Sequence, residues 1–350
     1  DDGQDVQNPD TLFILDNDNN RLDAGDEIRM GDSYTGLTGV IAYGEDDQDG
    51  NEEPEFRLHT PDGTLRQNNP REAAPEDVGS DFTVTAFNVL NFFTTLDTFG
   101  VNEGIGPDAQ DARGADTEPF RARGEPGETE EYDRQLSKLV EAITALGADI
   151  VGLVEIENDF LPGGASPDVA DAQAPRGIAI QALVDALNAE LGAEIYDWVD
   201  PGSEAVGGDA IATGFLYDTT STGITPGSTV DVLTDADLAG LGLDFGNPVF
   251  DGDGTSRAPI AASFTEIASG QSLTVTVNHF KSKGSISPFG DNTATGDGQG
   301  NNNETRVQAA TALDTWLDSD PTGAGNADVM ILGDLNAYAE EDPVTFLEGE

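Results

Sequence analysis

The sequence predicts an α/β domain, and three observations support this prediction. Between residues 82 and 334, apolar strings rich in β-branched residues alternate with segments whose apolar residues recur every three or four positions. Several of these strings end in polar residues that a buried core rarely contains. In α/β enzymes the binding site lies along the ends of the strands. We therefore expect an enzyme whose site is formed at these strand ends.

Five strands and three helices are predicted in this domain. The strands are expected at 82–89, 149–157, 210–217, 273–280 and 328–334, the first of them as a buried strand. The helices are expected from three inward apolar faces, which consist of Leu136, Leu139, Val140, Ile143 and Leu146; of Ile180, Leu183, Val184, Leu187 and Leu191; and of Val307, Ala310, Leu313 and Leu317. The composition predicts an unusually long loop at 92–130 and a loop-rich stretch around 219–256.

A separate unit is predicted before this domain. Over residues 11–60, short apolar runs alternate with turn-forming residues, which is the spacing of a small all-β domain. A stretch rich in Pro, Asn and Glu at 67–80 predicts a linker. The segment 16–27 has part of the pattern of a calcium loop. Arg21 stands where that loop needs glycine, so we interpret the segment as a hairpin connection.

The chain is strongly acidic. It has 68 Asp and Glu against 15 Lys and Arg, for a formal net charge of -53, yet 37% of its residues are hydrophobic and can form a core. At about 1 M salt the Debye length falls to about 3 Å, so repulsion between carboxylates is screened. We therefore expect a protein from a halophile. Its overall charge repels nucleic acid and anionic membranes, so any such ligand needs local contacts.

The composition also limits the kinds of site. The sequence has no cysteine, which excludes disulfides and thiolate metal sites. No apolar string approaches the length of a transmembrane helix. We expect a monomer without a membrane span.

One ten-residue string at 275–284, VTVNHFKSKG, holds two of the three lysines and one of the two histidines. Its basic residues are His279, Lys281 and Lys283. Cations kept together in so acidic a chain indicate an anion site. Phosphate is the first hypothesis for that anion.

Five strings resemble, in order, the endonuclease/exonuclease/phosphatase superfamily, which has the fold of DNase I-like nucleases, and in particular its secreted bacterial and archaeal nuclease branch. They are TAFNVLNFF (85–93), RQLSKLVEAITALGADIVGLVEIEN (134–158), GDAIATGFLY (208–217), VNHFKSKG (277–284) and GDLNAYAEEDP (333–343). The resemblance implies a four-layer αββα sandwich over 81–350. It also implies an OB-like β domain, incomplete at its N-terminus, over 1–66.

The resemblance implies a metal-dependent site. Glu155 matches the ligand of Mg²⁺ or Mn²⁺, and Asn88 is its neighbour, both at the metal and on the phosphate. Asp334 matches the residue that orients or deprotonates the attacking water, and Asn336 the one that holds a phosphate oxygen. The last two point the same way if the strand continues past Asp334. Without the family pattern, Glu155 is a solvated acid and Asp334 with Asn336 an ordinary turn.

The same resemblance assigns the remaining candidates. His279 donates to phosphate or passes a proton, and Asp209 matches the acid that orients it. Arg257 matches an arginine that binds phosphate, and its alternative role is a surface salt bridge. The other candidate substrate contacts are Asn278, Lys281 and Lys283.

The sequence departs from the family pattern at its end. Family members carry further strands with an Asp and an Asp-His pair, and this chain stops at Glu350. We expect a C-terminally truncated domain that hydrolyses DNA feebly or not at all on its own.

The predicted function is that of a secreted or cell-surface halophilic nuclease with nucleic acid as its substrate. DNA versus RNA and endo- versus exonuclease action stay open. The alternatives are a phosphomonoesterase or phospholipase of the same superfamily, and a noncatalytic surface scaffold.

Overall fold

The computed structural model describes residues 33–35, 38–45, 52–60, 64–66, 68, 75, 78–80, 82–94, 130–160, 176–202, 206–252, 254–325 and 328–349. The chain divides into two compact units, Asp1–Pro75 and Glu76–Glu350. The segment 16–27, most of the predicted linker and nearly all of the predicted loop at 92–130 lie outside the described residues. Within the described ranges, no helix is long and apolar enough to span a membrane.

The described elements of the first unit are two antiparallel strand pairs. Strand β1 (Ser33–Thr35) pairs with β4 (Thr64–Arg66), and β2 (Thr38–Glu45) pairs with β3 (Glu52–Thr60). The OB-like topology of this unit stays a prediction.

The second unit begins with a four-stranded sheet in the order β5-β6-β8-β7. Its strands are β5 (Val84–Phe92), β6 (Ile150–Glu157), β7 (Tyr196–Trp198) and β8 (Ile211–Asp218). Strands β5 and β6 are parallel, and the other pairs are antiparallel. Helix α1 (Glu130–Leu146) lies between β5 and β6 in the chain, and α2 (Ile178–Leu191) follows β6.

A second sheet has the order β10-β11-β12-β13, and β9 also pairs with β11. Its strands are β9 (Thr222–Ile224), β10 (Asp231–Val232), β11 (Arg257–Glu266), β12 (Ser272–His279) and β13 (Val329–Asp334). The connection between the parallel strands β12 and β13 contains α4 (Asn303–Asp318). Two short helices complete the unit, α3 (Asp235–Leu238) and α5 (Asp342–Glu348).

The two sheets pack face to face. Gly152 of β6 lies so close to the other sheet that a Cβ there would be 2.7 Å from the side chain of Val277 on β12 and 3.3 Å from that of Leu332 on β13. The rings of Phe215 and Phe264, one from each sheet, meet edge to face at 5.4 Å. The main hydrophobic core therefore includes the space between the sheets.

Helices cover the outer faces. On β8, Gly214 faces Ile180 of α2, 3.2 Å from where its Cβ would lie. On the other side, Trp316 of α4 is buried and its indole N–H donates to Asp231 of β10 at 3.1 Å. The layers are therefore helix, sheet, sheet, helix, and the predicted α/β class is confirmed.

Three details differ from the sequence predictions. The strand β11, which follows the loop-rich segment 219–256, was not predicted. Strand β5 was predicted as a buried strand, but it lies at the edge of its sheet, where Ala86 is exposed and Phe87 is only partly buried. Leu191 is 39% exposed because it is the last residue of α2.

Candidate active site

A bulge in β6 redirects Glu155. On one side, residues 89–91 of β5 lie opposite this single residue. On the other side, Val154 and Ile156 pair with consecutive residues of β8, which leaves Glu155 as an extra residue. Its φ is 67°, in the left-handed region that non-glycine residues rarely occupy. Bulges of this kind re-aim a side chain, and backbone strain of about 1–3 kcal/mol is typical of functional sites.

The redirected carboxylate points toward the second sheet. Its Oε1 lies 4.0 Å from Nε2 of His279, and the side chain is only 18% exposed. Its Oε2 accepts a hydrogen bond from the backbone N–H of Asn91 at 3.2 Å. Asn88, also on β5, is exposed, and its Oδ1 accepts from the N–H of Leu90 at 2.7 Å. The bulged strands thus hold an acid and an amide at the same level of the sheet.

Three strands of the second sheet present side chains abreast. His279, the last residue of β12, pairs with Asp334, the last residue of the parallel β13. It also pairs with Arg257, the first residue of the antiparallel β11. Because neighbouring strands are about 5 Å apart, a cation, an imidazole and a carboxylate line one edge.

His279 is nearly fully buried, with 3% of its surface exposed. Burial lowers its pKa to about 3, and the charges of Arg257 and Lys281 act in the same direction. Among the residues that the structure describes, none is a hydrogen-bond partner of its Nδ1. A neutral imidazole donates from one nitrogen and accepts at the other, so His279 can donate one hydrogen bond to a ligand.

The chain turns directly after Asp334. Strand β13 ends there, and Asn336 has a φ of 49°. The Oδ1 of Asp334 accepts from the backbone N–H of Asn336 at 2.8 Å, and the amide of Asn336 donates to the carbonyl of Phe280 at 2.8 Å. The strand therefore does not continue past Asp334, which was the condition for Asp334 and Asn336 to point the same way. The turn instead fixes both residues against the loop that follows β12.

Asp209 does not orient His279. Its Oδ2 accepts from Nε of Arg257 at 2.8 Å, and no hydrogen bond joins it to the imidazole. The register of β11 and β12 places Arg257 beside His279. The carboxylate of Asp209 therefore binds the guanidinium of Arg257 and not the imidazole of His279. The predicted contact is wrong. Asp209 positions Arg257 instead.

The other basic and amide candidates do not converge on the edge. Asn278 points to the opposite face from His279, is fully buried and donates to the carbonyl of Leu332 at 3.0 Å. Lys281 is 6% exposed and its Nζ donates to Ser285 at 3.2 Å. Lys283 is partly buried, and its Nζ pairs with the carboxylate of the buried Glu341.

The sequence reasoning missed a charged network behind this edge. Arg306 of α4 is fully buried and donates to the carbonyls of Gln299, Asn301 and Lys281. Its Nη2 also lies 3.9 Å from Oε2 of Glu341. Burial of an arginine has no periodic signature. The only available signal was a basic residue within a helix face that was otherwise apolar.

The residues suit a divalent metal with few protein ligands. Within the described ranges, no group of three or more His, Cys, Asp or Glu side chains is placed to hold an ion. Mg²⁺ usually takes one or two carboxylates and fills its other positions with water and substrate phosphate. The carboxylate of Glu155 and the amide oxygen of Asn88 fit that description.

Solved structures of phosphoesterase type align with this chain at low identity. An endonuclease/exonuclease/phosphatase family protein from Bacteroides thetaiotaomicron has a TM-score of 0.41 and 13% identity, over 77% of this chain and 68% of that one. A protein of the same family from Bacteroides vulgatus has a TM-score of 0.41 and 14% identity, over 77% and 72%. A mannosyl-6-phosphatase from Bacteroides thetaiotaomicron has a TM-score of 0.41 and 12% identity, over 77% and 70%. No family model matches the sequence, and no curated protein matches it either.

Proposed function

We propose that this chain hydrolyses phosphodiester bonds of nucleic acid with a divalent metal, Mg²⁺ or Mn²⁺, as a secreted nuclease of a halophile. The observation that supports it most directly is the bulged Glu155, which faces His279 across the two sheets. Beside them, Asp334 and Arg257 line the same edge. An acid, an imidazole, a second acid and a guanidinium are together suited to a phosphate and an attacking water.

Glu155 and Asn88 would hold the metal. Bound there, it would balance negative charge on the phosphate, which so acidic a chain would otherwise repel. A site with a single carboxylate ligand leaves coordination positions for the substrate.

The remaining side chains act on the substrate and the water. Arg257, held by Asp209, binds a nonbridging phosphate oxygen, and His279 donates a hydrogen bond to another. Asp334 accepts a proton from water as the water oxygen forms its bond to phosphorus. The bond from phosphorus to the leaving oxygen breaks, and that oxygen takes a proton from solvent. Asn336 holds the turn that keeps Asp334 in place.

The charges at the edge favour a diester over a monoester. A diester carries one negative charge, and a phosphate monoester carries close to two near neutral pH. Among the described residues of this edge, the Nζ of Lys281 is held by Ser285 and the Nζ of Lys283 by Glu341, whereas Arg257 pairs with Asp209 through Nε and can offer its two Nη groups to a phosphate. This balance supports the nuclease over the phosphomonoesterase.

A substrate panel tests the proposal. The purified protein is assayed in molar KCl with Mg²⁺ or Mn²⁺ against DNA, RNA, inositol phosphates and sphingomyelin, with chelator as a control. We expect any cleavage, however feeble, to fall on nucleic acid and to be abolished by chelator. Turnover of inositol phosphates or sphingomyelin without cleavage of nucleic acid would replace this proposal with the phosphatase or phospholipase. The appearance of the protein in the culture medium tests its secretion.

A further inference from the structure

Tyr338 presents an aromatic ring to solvent next to the candidate active site. It follows Asp334 by four residues in the turn after β13, and 78% of its surface is exposed. A large aromatic residue usually buries most of its area. Its exposure at this place calls for a ligand that an aromatic ring can bind.

The register of the second sheet places this ring at the edge that carries the site. His279 pairs with Asp334 in the parallel ladder. Lys283 lies four residues after His279, and Tyr338 lies four residues after Asp334. The Nζ of Lys283 is 4.5 Å from the centre of the Tyr338 ring. The two segments therefore leave the paired strands side by side and stay in contact.

The lysine that contacts the ring belongs to a series of ion pairs that extends into the buried part of the domain. Lys283 pairs with Glu341, which is 5% exposed, and Arg306 lies behind Glu341. The backbone N–H of Glu341 also donates to the carbonyl of Tyr338 at 2.9 Å. These contacts order the ring before any ligand arrives, which reduces the entropic cost of binding.

We propose that Tyr338 is a stacking platform for a nucleobase beside the scissile phosphate, and that the substrate is single-stranded nucleic acid or an unpaired end. This inference rests on the proposed function. With a formal net charge of -53 and strong salt, long-range attraction contributes little to binding a polyanion. Stacking on an aromatic ring needs no net charge. Only an unpaired or terminal base exposes a face that the ring can cover.

Binding of a fluorescently labelled single-stranded oligonucleotide tests the inference. Anisotropy is measured in molar KCl with Mg²⁺ present, on an oligonucleotide whose phosphorothioate linkages resist cleavage, for the wild type, Tyr338→Ala and Tyr338→Phe. We expect Tyr338→Ala to weaken binding about 10- to 100-fold and Tyr338→Phe to bind like the wild type. An abasic oligonucleotide of the same length should bind the wild type and Tyr338→Ala equally weakly. Because this side chain is exposed, its replacement should preserve the fold, and thermal unfolding of each variant checks this.

The outcomes separate the inference from the proposed function. Equal affinity of the wild type and Tyr338→Ala for the ordinary oligonucleotide would overturn the inference, even if the protein cleaves nucleic acid. The absence of measurable binding by the wild type would overturn it as well. The protein could also bind the oligonucleotide through Tyr338 but hydrolyse no phosphodiester when Mg²⁺ or Mn²⁺ is added. That result would support the inference and rule out the proposed hydrolysis.

Discussion

The Oε1 of Glu155 lies 4.0 Å from Nε2 of His279, although their strands belong to different sheets. Both side chains are largely buried, so the contact spans the interior edge of the sandwich rather than its surface. It depends on the bulge in β6, because a regular strand would pair Glu155 with β8 instead of leaving it as an extra residue in that ladder.

Replacement of Glu155 by Gln should remove activity while preserving the fold. Glutamine keeps the size of the side chain but loses the negative charge that the metal requires. We expect kcat/KM to fall about 100-fold or more, with the thermal midpoint nearly unchanged. Glu190→Gln, an exposed change on α2, is the matched control. A parallel loss of stability and activity in Glu155→Gln would indicate a structural acid instead.

The sequence predicted the elements of the second unit better than the geometry of its site. Periodic apolar residues located α1, α2 and β6, because burial on one face leaves a regular pattern. The bulge at Glu155 and the turn after Asp334 leave no such pattern. They result from pairing between strands that are distant in the chain.

The role of Asp209 shows the same limit. Its position just before β8 predicted a contact with His279. The carboxylate instead binds Arg257, whose position follows from the register of β11 and β12. Strand β11 itself was not predicted. Neighbours across a sheet cannot be assigned when one of the strands has not been identified.

Removal of the Asp209 carboxylate should release Arg257 without unfolding the protein. The pair is partly exposed, with side-chain exposures of 45% for Asp209 and 19% for Arg257, so its contribution to stability is small. We expect Asp209→Asn to lower kcat/KM about tenfold, mainly through KM, because the guanidinium loses its orientation. Steady-state kinetics on an oligonucleotide measure this. Asp314→Asn, an exposed change on α4, should leave both parameters as in the wild type. If Asp209→Asn has the KM of the wild type, Arg257 does not bind the substrate phosphate in the way proposed.

Gly333 should not tolerate a side chain. Its φ is 115°, and a Cβ there would lie 2.8 Å from the backbone N of Asn278 on the neighbouring strand. We expect Gly333→Ala to lower the free energy of unfolding by about 2–4 kcal/mol, measured by denaturant titration in molar KCl. Gly223→Ala, where a Cβ would meet nothing within 4 Å, is the control. Wild-type stability of Gly333→Ala would mean that β12 and β13 do not pack as closely as this.

Asp159 should make the protein less stable as the pH rises from about 4 to 6. Burial raises its pKa to about 6, against hydrogen bonds from the backbone N–H groups of Ala179 and Ile178, and the charge of Glu157 raises it further. The folded state therefore holds this proton more tightly than the unfolded state, where the pKa is about 3.9. The stabilising contribution is complete below that value and is lost as the pH passes through 6.

The variant Asp159→Asn should flatten this part of the stability profile. Its amide oxygen can still accept from the N–H of Ala179, and it carries no charge at any pH. We expect the difference between wild type and variant to change by up to about 3 kcal/mol between pH 4 and 7, measured by denaturant unfolding at constant salt. Parallel pH profiles for the two proteins would show that Asp159 ionises normally.

The stability of the whole chain should depend steeply on salt. With 68 acidic residues against 15 basic ones, mutual repulsion favours unfolding, and it is screened as the Debye length falls from about 10 Å at 0.1 M to about 3 Å at 1 M. We expect the urea midpoint to rise strongly between 0.1 M and molar KCl. Sucrose at equal osmolality is the control, because it favours burial without screening charge. If sucrose raises the midpoint as much as KCl does, exclusion of the solute from the protein surface accounts for the effect. Screening of the acidic residues would then not be the cause of the salt dependence of stability.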